Sequence, residues 1–311
     1  MAKKMDRKIT DLLKEDFTLS VEIVASKGGA SSSQLISQIR EAAFGGLNFV
    51  TVTSGVNGSP RSETTALSKM IQDEMGVPCV AHFTCQNLIP EELERELYAH
   101  HGYGLRNILA LRGDPSWRAA GLVESRVRER SLEYAYQLVE QIVRLNRGQR
   151  LGRDTETSLK MPATNFCVGV ACYPDEPDRQ KRIDYLKRKV DAGAEYAVTQ
   201  ILLSPESYEI FRDECVRSGI QIPILPGICI LKSQEQAQKL AQKFALKLNA
   251  NSLRALPETD QAAAASPDRF LENFVKNVQE LRRIGAPGVH SFLIGIENKF
   301  AAAALQKVQD V

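Results

Sequence analysis

Eight short apolar stretches, separated by longer amphipathic ones, limit what this chain can fold into more than any other feature. They are Thr18–Val24, Leu47–Thr53, Pro78–Phe83, Asn107–Leu111, Phe166–Cys172, Tyr196–Gln200, Pro223–Pro226 and Gly288–Phe292. Most run as nearly unbroken Val, Ile, Leu, Phe, Ala and Cys, the pattern of parallel strands covered on both faces. Between them, Ser33–Ala43, Glu63–Met75, Pro90–His100, Ser131–Asn146, Asp178–Ala192 and Pro205–Ser218 have helical periodicity. Pro90 and Pro205 fit a first helical turn, where a missing N–H costs nothing. Strands alternating with crossover helices require a parallel sheet. Eight such units in 311 residues predict an α/β fold closed into a single (β/α)8 TIM barrel.

The whole chain, 1–311, therefore reads as one barrel domain, with residues 1–16 as an N-terminal extension that includes helix. Arg147–Thr164 is polar and turn-rich and reads as a surface loop; Ala250–Ser266 reads as short irregular helices. Acidic and basic residues interleave to a net charge of +2, which gives no electrostatic footprint for nucleic acid. Met1-Ala2-Lys3-Lys4 is followed by Asp6, Arg7 and Asp11 where a signal peptide needs an apolar run. No stretch approaches the roughly 20 apolar residues of a membrane span, so the cytoplasm is the expected location and no membrane partner is expected. The six cysteines are scattered without a C-x-x-C pair. They read as small buried hydrophobes rather than zinc ligands or disulfides, and no metal is predicted.

In such a barrel the active site lies at the carboxyl ends of the strands, so polar residues that interrupt or end the apolar runs are the candidates. Glu22 sits inside Leu19-Ser20-Val21-Glu22-Ile23-Val24. A carboxyl there either raises its pKa and serves as a general acid, or finds a structural ion-pair partner. Further along come Thr51-Val52-Thr53, then His82-Phe83-Thr84-Cys85, then Leu111-Arg112-Gly113-Asp114. Arg112 offers a fixed fork of donors and Gly113 allows close backbone approach; a local Arg–Asp pair is the plainer alternative. Tyr173 provides an aromatic face at the fifth strand, Gln200 an amide at the sixth, and His290 lies in the eighth.

Taken in order, these residues resemble the methylenetetrahydrofolate reductases. The series comprises Val52-Thr53 with Gly55, His82-Phe83-Thr84-Cys85, Ala110-Leu111-Arg112-Gly113-Asp114, and Leu186 to Ala194 running into Thr199-Gln200. Phe211-Arg212-Asp213, Pro226-Gly227-Ile228 and Gly288-Val289-His290 complete it, so the resemblance runs from about Leu19 to Leu305.

The resemblance implies an oxidoreductase that passes hydride through a flavin, FAD or FMN, to 5,10-methylenetetrahydrofolate. NAD(P)H or a reduced partner protein would be the donor. It makes Glu22 the general acid and Asp114 a second catalytic carboxylate near pterin and flavin. Gln200 and Gln234 become substrate contacts, and Thr53, His82, Leu111, Arg112, Gly113, Asp114, Tyr173 and Lys189 flavin contacts. The chain departs from the family's best-known versions around Glu22, in a shorter Tyr173–Lys189 stretch, and at Gln234, where those versions carry an aromatic. These departures look like branches from one-carbon-fixing bacteria, whose members dock to iron–sulfur or zinc partner subunits; a homo-oligomer is the other assembly the family implies. Two other readings stand beside this one: another pterin- or flavin-binding barrel enzyme, and a reductase-like subunit active only with its partner.

Overall fold

The near-continuous apolar stretches form eight parallel strands that close into a barrel in chain order, with β8 pairing back to β1. The computed structural model describes residues 5–24, 35–37, 39–40, 45–54, 61–85, 88–113, 130–151 and 162–309. The first half contains α1 (Ile9–Glu15), β1 (Thr18–Ile23), β2 (Phe49–Val52), α2 (Arg61–Met75), β3 (Cys79–Thr84), α3 (Pro90–Gly102) and β4 (Asn107–Leu111). Next come α4 (Ala135–Asn146), β5 (Cys167–Cys172), α5 (Arg179–Asp191), β6 (Tyr196–Ile201), α6 (Pro205–Arg217) and β7 (Ile224–Cys229). The chain continues through α7 (Gln234–Phe244), α8 (Ala250–Arg254), α9 (Asp260–Ala265), α10 (Pro267–Arg283), β8 (Gly288–Phe292) and α11 (Asn298–Gln309). The helix expected at Ser33–Ala43 falls largely outside the described residues.

Strand boundaries agree with the sequence pattern to within two residues, except at β7. Pro226 and Gly227 look like a strand end, yet the strand continues to Cys229. Proline has no N–H for the ladder. The neighbouring strand accommodates it, because the β6–β7 register shifts between Val198 and Ile201, opposite Pro226.

Alternation along each strand divides the barrel into two packings. Val21, Val50, Val52, Ile108, Ala110, Val168, Val170 and Ala197 face outward and join the large core under the helices. The intervening residues Phe49, Val80, Leu109, Cys167, Tyr196, Val198 and Leu225 face the axis, where α1 caps them with Ile9, Leu12 and Leu13. The Ile9 N–H donates to Asn107 Oδ1 at 3.0 Å, and Asn107 Nδ2 donates to the Arg7 carbonyl at 2.9 Å. The N-terminal extension thus plugs the amino-terminal end of the barrel.

Arg147–Thr164 behaves as more than a surface loop at its described ends. Leu151 is buried and its N–H donates to Glu94 Oε2 at 2.7 Å, while Thr164 Oγ1 donates to Asn146 Oδ1 at 2.7 Å. All six cysteines are buried thiols. Among the described residues, no helix is long and apolar enough to cross a membrane.

Candidate active site

The alternation that points Phe49 and Val80 at the axis also points the residues two positions further on. In β1 these are Ser20 and Glu22; in β2, Thr51, with Thr53 just past its end; in β3, His82; in β4, Leu111; in β8, His290 and Phe292. Register places Glu22 level with Thr51 on one side and Phe292 on the other. A polar layer therefore lies directly above the apolar plug.

His290 is the centre of that layer. Ser20 Oγ donates to the Val289 carbonyl at 3.1 Å, so it accepts from His290 Nδ1–H at 2.9 Å. This leaves Nε2 to accept from Thr51 Oγ1 at 3.4 Å. The ring is wholly buried, between Phe49 (stacked, 6.5 Å) and Phe292 (edge-on, 5.1 Å). Burial, with a smaller contribution from nearby His82, pushes its pKa down to about 3. His290 is a neutral, fully bonded floor.

Glu22 stands above this floor in a different condition. Its carboxyl lies 3.7 Å from His82 Nε2, and both side chains are largely buried, at 15% and 8% exposure. That spacing falls within ion-pair range, yet burial drives both groups toward neutrality: Glu22 is raised to about 7 and His82 lowered to about 4. Near neutral pH an uncharged imidazole therefore faces a carboxyl that still holds its proton for about half the time. His82 Nε2 is buried without a hydrogen bond, and no other described residue bonds the Glu22 carboxyl.

The other candidates ring the same end. Thr53 follows β2, and its N–H donates to the Ile23 carbonyl at 3.1 Å. Leu111 ends β4 and packs on the axial cluster. Arg112 is exposed, and Gly113 has a φ of +97°, a conformation only glycine adopts without strain. Tyr173 follows β5, half exposed, with Lys189 Nζ 5.7 Å from its ring centroid. Lys189 reaches from α5 to donate to the Ala171 carbonyl at 2.7 Å, and burial lowers its pKa. Gln200 lies in the β6 bulge; its Oε1 accepts from the Ile201 N–H at 2.9 Å.

Two expected site residues remain. Gln234 begins α7, and its amide donates to the Leu256 carbonyl at 3.3 Å. Asp114 lies outside the described residues. Conversely, Ser20, Thr51 and Phe292 belong to the layer, and only period-two alternation around Glu22 and His290 would have selected them. A cleft of about 510 Å³ lined by Phe17, Leu19, Asn48, Val278, Arg282 and Gln309 lies at the opposite end, by the start of β1 and the last turns of α10. It contains none of these groups.

Comparison with known proteins bears on the same arrangement. A family model described as methylenetetrahydrofolate reductase matches residues 4–307. Methylenetetrahydrofolate reductase 1 of Schizosaccharomyces pombe is 29% identical over 304 residues, covering 93% of this chain and 46% of that protein. The 5,10-methylenetetrahydrofolate reductase of Escherichia coli is 35% identical over 206 residues, covering 65% of this chain and 60% of that protein. The chain spans about half the length of the curated relatives it matches. Two solved structures share the fold at 11% identity. One, from Clostridium thermocellum and described as binding two copies of 5-methyl-5,6,7,8-tetrahydrofolic acid, has a TM-score of 0.58 and covers 98% of this chain and 99% of its own. The other, the coenzyme F420 dependent tetrahydromethanopterin reductase of Methanopyrus kandleri, has a TM-score of 0.56 and covers 93% and 97%.

Proposed function

We propose, from the premise that this chain belongs to the methylenetetrahydrofolate reductase family, that it reduces 5,10-methylenetetrahydrofolate to 5-methyltetrahydrofolate with a bound flavin, FAD. The observation that carries this reading is Glu22: an axial carboxyl at the reactive end of the barrel, unpaired by any cation among the described residues and protonated up to about pH 7. An acid that keeps its proton near neutrality can deliver it as a leaving nitrogen departs. Here the proton passes from the Glu22 carboxyl to a folate nitrogen, and that nitrogen's bond to the methylene bridge breaks. The bridge carbon remains as an iminium on the second nitrogen and takes up hydride to become the methyl group. Flavin, when bound, supplies that hydride after reduction by a pyridine nucleotide or a partner protein.

The residues present suit that cofactor. Gly113 offers backbone with no Cβ in the way, Tyr173 a half-exposed aromatic face, and Arg112 an exposed guanidinium. We assign Thr53, His82, Leu111, Arg112, Gly113, Tyr173 and Lys189 to the flavin, and Gln200 to the pterin edge, where its amide can both donate and accept. Asp114 is assigned as the second carboxylate, stabilising positive charge on the bridge carbon. Gln234 is assigned to the substrate as well: its Nε2 donates to the Leu256 carbonyl, which leaves Oε1 to accept.

The test is an absorbance spectrum of the purified protein, identification of the extracted cofactor, and anaerobic addition of methyltetrahydrofolate. A yellow protein whose flavin band bleaches fits the reading. A protein that takes up neither flavin nor folate sinks it.

A further inference from the structure

Phe292 has no part in the reaction as drawn, yet it stands level with Glu22 across the β8–β1 pair. On its other side it is level with Cys229 of β7. Like His290, whose ring it meets edge-on at 5.1 Å, it faces the barrel axis. It is only partly buried, and it packs against the cluster at the ends of β6 and β7.

The ring lies across β7 because residue 227 is glycine. A Cβ at Gly227 would come within 2.6 Å of Phe292 Cε2, 2.4 Å of the Thr199 carbonyl oxygen and 3.3 Å of the Gln200 carbonyl oxygen. No side chain fits there without displacing the ring. Phe292 therefore spans the gap between the row of Glu22 and the bulge that carries Gln200. An acid, an aromatic surface and an amide follow one another along one arc of the rim, from β1 through β8 and β7 to β6. That is the order a flat heterocycle with polar edges requires: the ring lies on the aromatic face, the amide reads one edge, and the acid reaches a nitrogen.

We propose that Phe292 is a substrate-contacting residue, the aromatic wall against which a planar ring of the folate lies between Gln200 and Glu22, with Gly227 as the residue that seats it. The proposal rests on the reductase reading above. It is tested by measuring the Kd for methyltetrahydrofolate in the wild type and in F292L, F292M, F292Y and G227A, with flavin content and melting temperature recorded for each. Loss of the aromatic face should weaken folate binding about tenfold in F292L and F292M at unchanged flavin content. F292Y should stay near the wild type, and G227A should weaken binding by unseating the ring. Should F292L fail to fold, F292M decides. Leucine or methionine variants that bind folate within twofold of a wild type that binds well would overturn the role of Phe292 and leave the reductase reading intact. A wild type that binds no methyltetrahydrofolate would overturn both.

Discussion

At the amino-terminal end of the barrel, Ile9, Leu12 and Leu13 fill the axis against Phe49, Val80, Leu109, Cys167, Tyr196 and Leu225. A few residues further along the same strands, the axis holds Glu22, Thr51, His82, His290 and Phe292. Backbone, register and alternation are shared, so the difference is chemical. The lower end buries carbon, which stabilises roughly in proportion to area removed from water. The upper end buries titratable groups, and it holds Glu22 and His82 without hydrogen bonds to described residues that would offset the lost solvation. Buried polar groups left uncompensated near a strand end are where reactivity is to be sought. Glu94 makes the same point from outside the barrel. It too is buried, but Arg150 at 2.9 Å and the Leu151 N–H at 2.7 Å hold it, and it serves as an anchor.

Glu22→Gln tests the contrast most severely, since it keeps shape and removes the transferable proton. The folate half-reaction should fall about 10³-fold, within the range of general acid loss, while reduction of the flavin by its donor stays within a few-fold. Stopped-flow traces of the two half-reactions decide it, and equal losses in both would remove Glu22 from the acid role. The matching change at the other end is Ile9→Ala, in a side chain with no exposure. It should cost about 2–4 kcal/mol in denaturant unfolding and leave turnover per folded molecule unchanged. A drop in folate turnover well below the melting temperature would mean that the two ends are coupled rather than separate.

The two ends also differ in how legible they are. Strand count, order and most boundaries follow from apolar runs and crossover lengths, because a barrel strand buried on both faces leaves little else to write. The exception at Pro226 depends on a bulge in the neighbouring strand, and pairing partners are not marked in a single chain. Glu22 was visible because a carboxyl amid Val and Ile is costly. Phe292 was not, because an aromatic in an apolar strand has the signature of ordinary core, and only its register with Glu22 and the bare backbone of Gly227 set it apart. Gln234 was not legible from the strand pattern at all: it came only with the family resemblance, and it begins a helix with its amide donating to the Leu256 carbonyl.

The unequal burial of charge predicts an unusual pH dependence. Glu22 titrates at about 7 in the fold against an ordinary 4.5, so the folded protein binds that proton more tightly than the unfolded chain. Its contribution is fully present below pH 4.5 and is lost as pH rises to 7, amounting to about 3 kcal/mol for a side chain 15% exposed. His82 and His290, lowered to about 4 and about 3, act in the reverse sense and destabilise the fold as pH falls below 6.5. The wild-type curve is therefore a sum. Subtracting it from that of Glu22→Gln isolates the carboxyl: the variant should gain on the wild type between pH 4.5 and 7 and then run level. Urea unfolding at pH 5, 6, 7 and 8 measures this, and a constant difference would mean that Glu22 is solvated like a surface carboxylate.

The smallest expected effect concerns the boundary between the two ends. Thr51 is level with Glu22 in the sheet, yet its hydroxyl points to His290 Nε2 across a long 3.4 Å bond. If the Ser20–His290–Thr51 layer is only a floor, removing that hydroxyl with Thr51→Val costs about 1 kcal/mol of stability, the usual net value of one hydrogen bond. His290 would lose one acceptor contact and keep its Nδ1–H bond to Ser20. The folate half-reaction should then stay within twofold of the wild type, with its fall near pH 7 unmoved. A shifted pH profile at preserved stability would put the boundary lower: it would make His290 part of the route by which Glu22 regains its proton, and extend the reactive end of the barrel down to the layer that rests on Phe49.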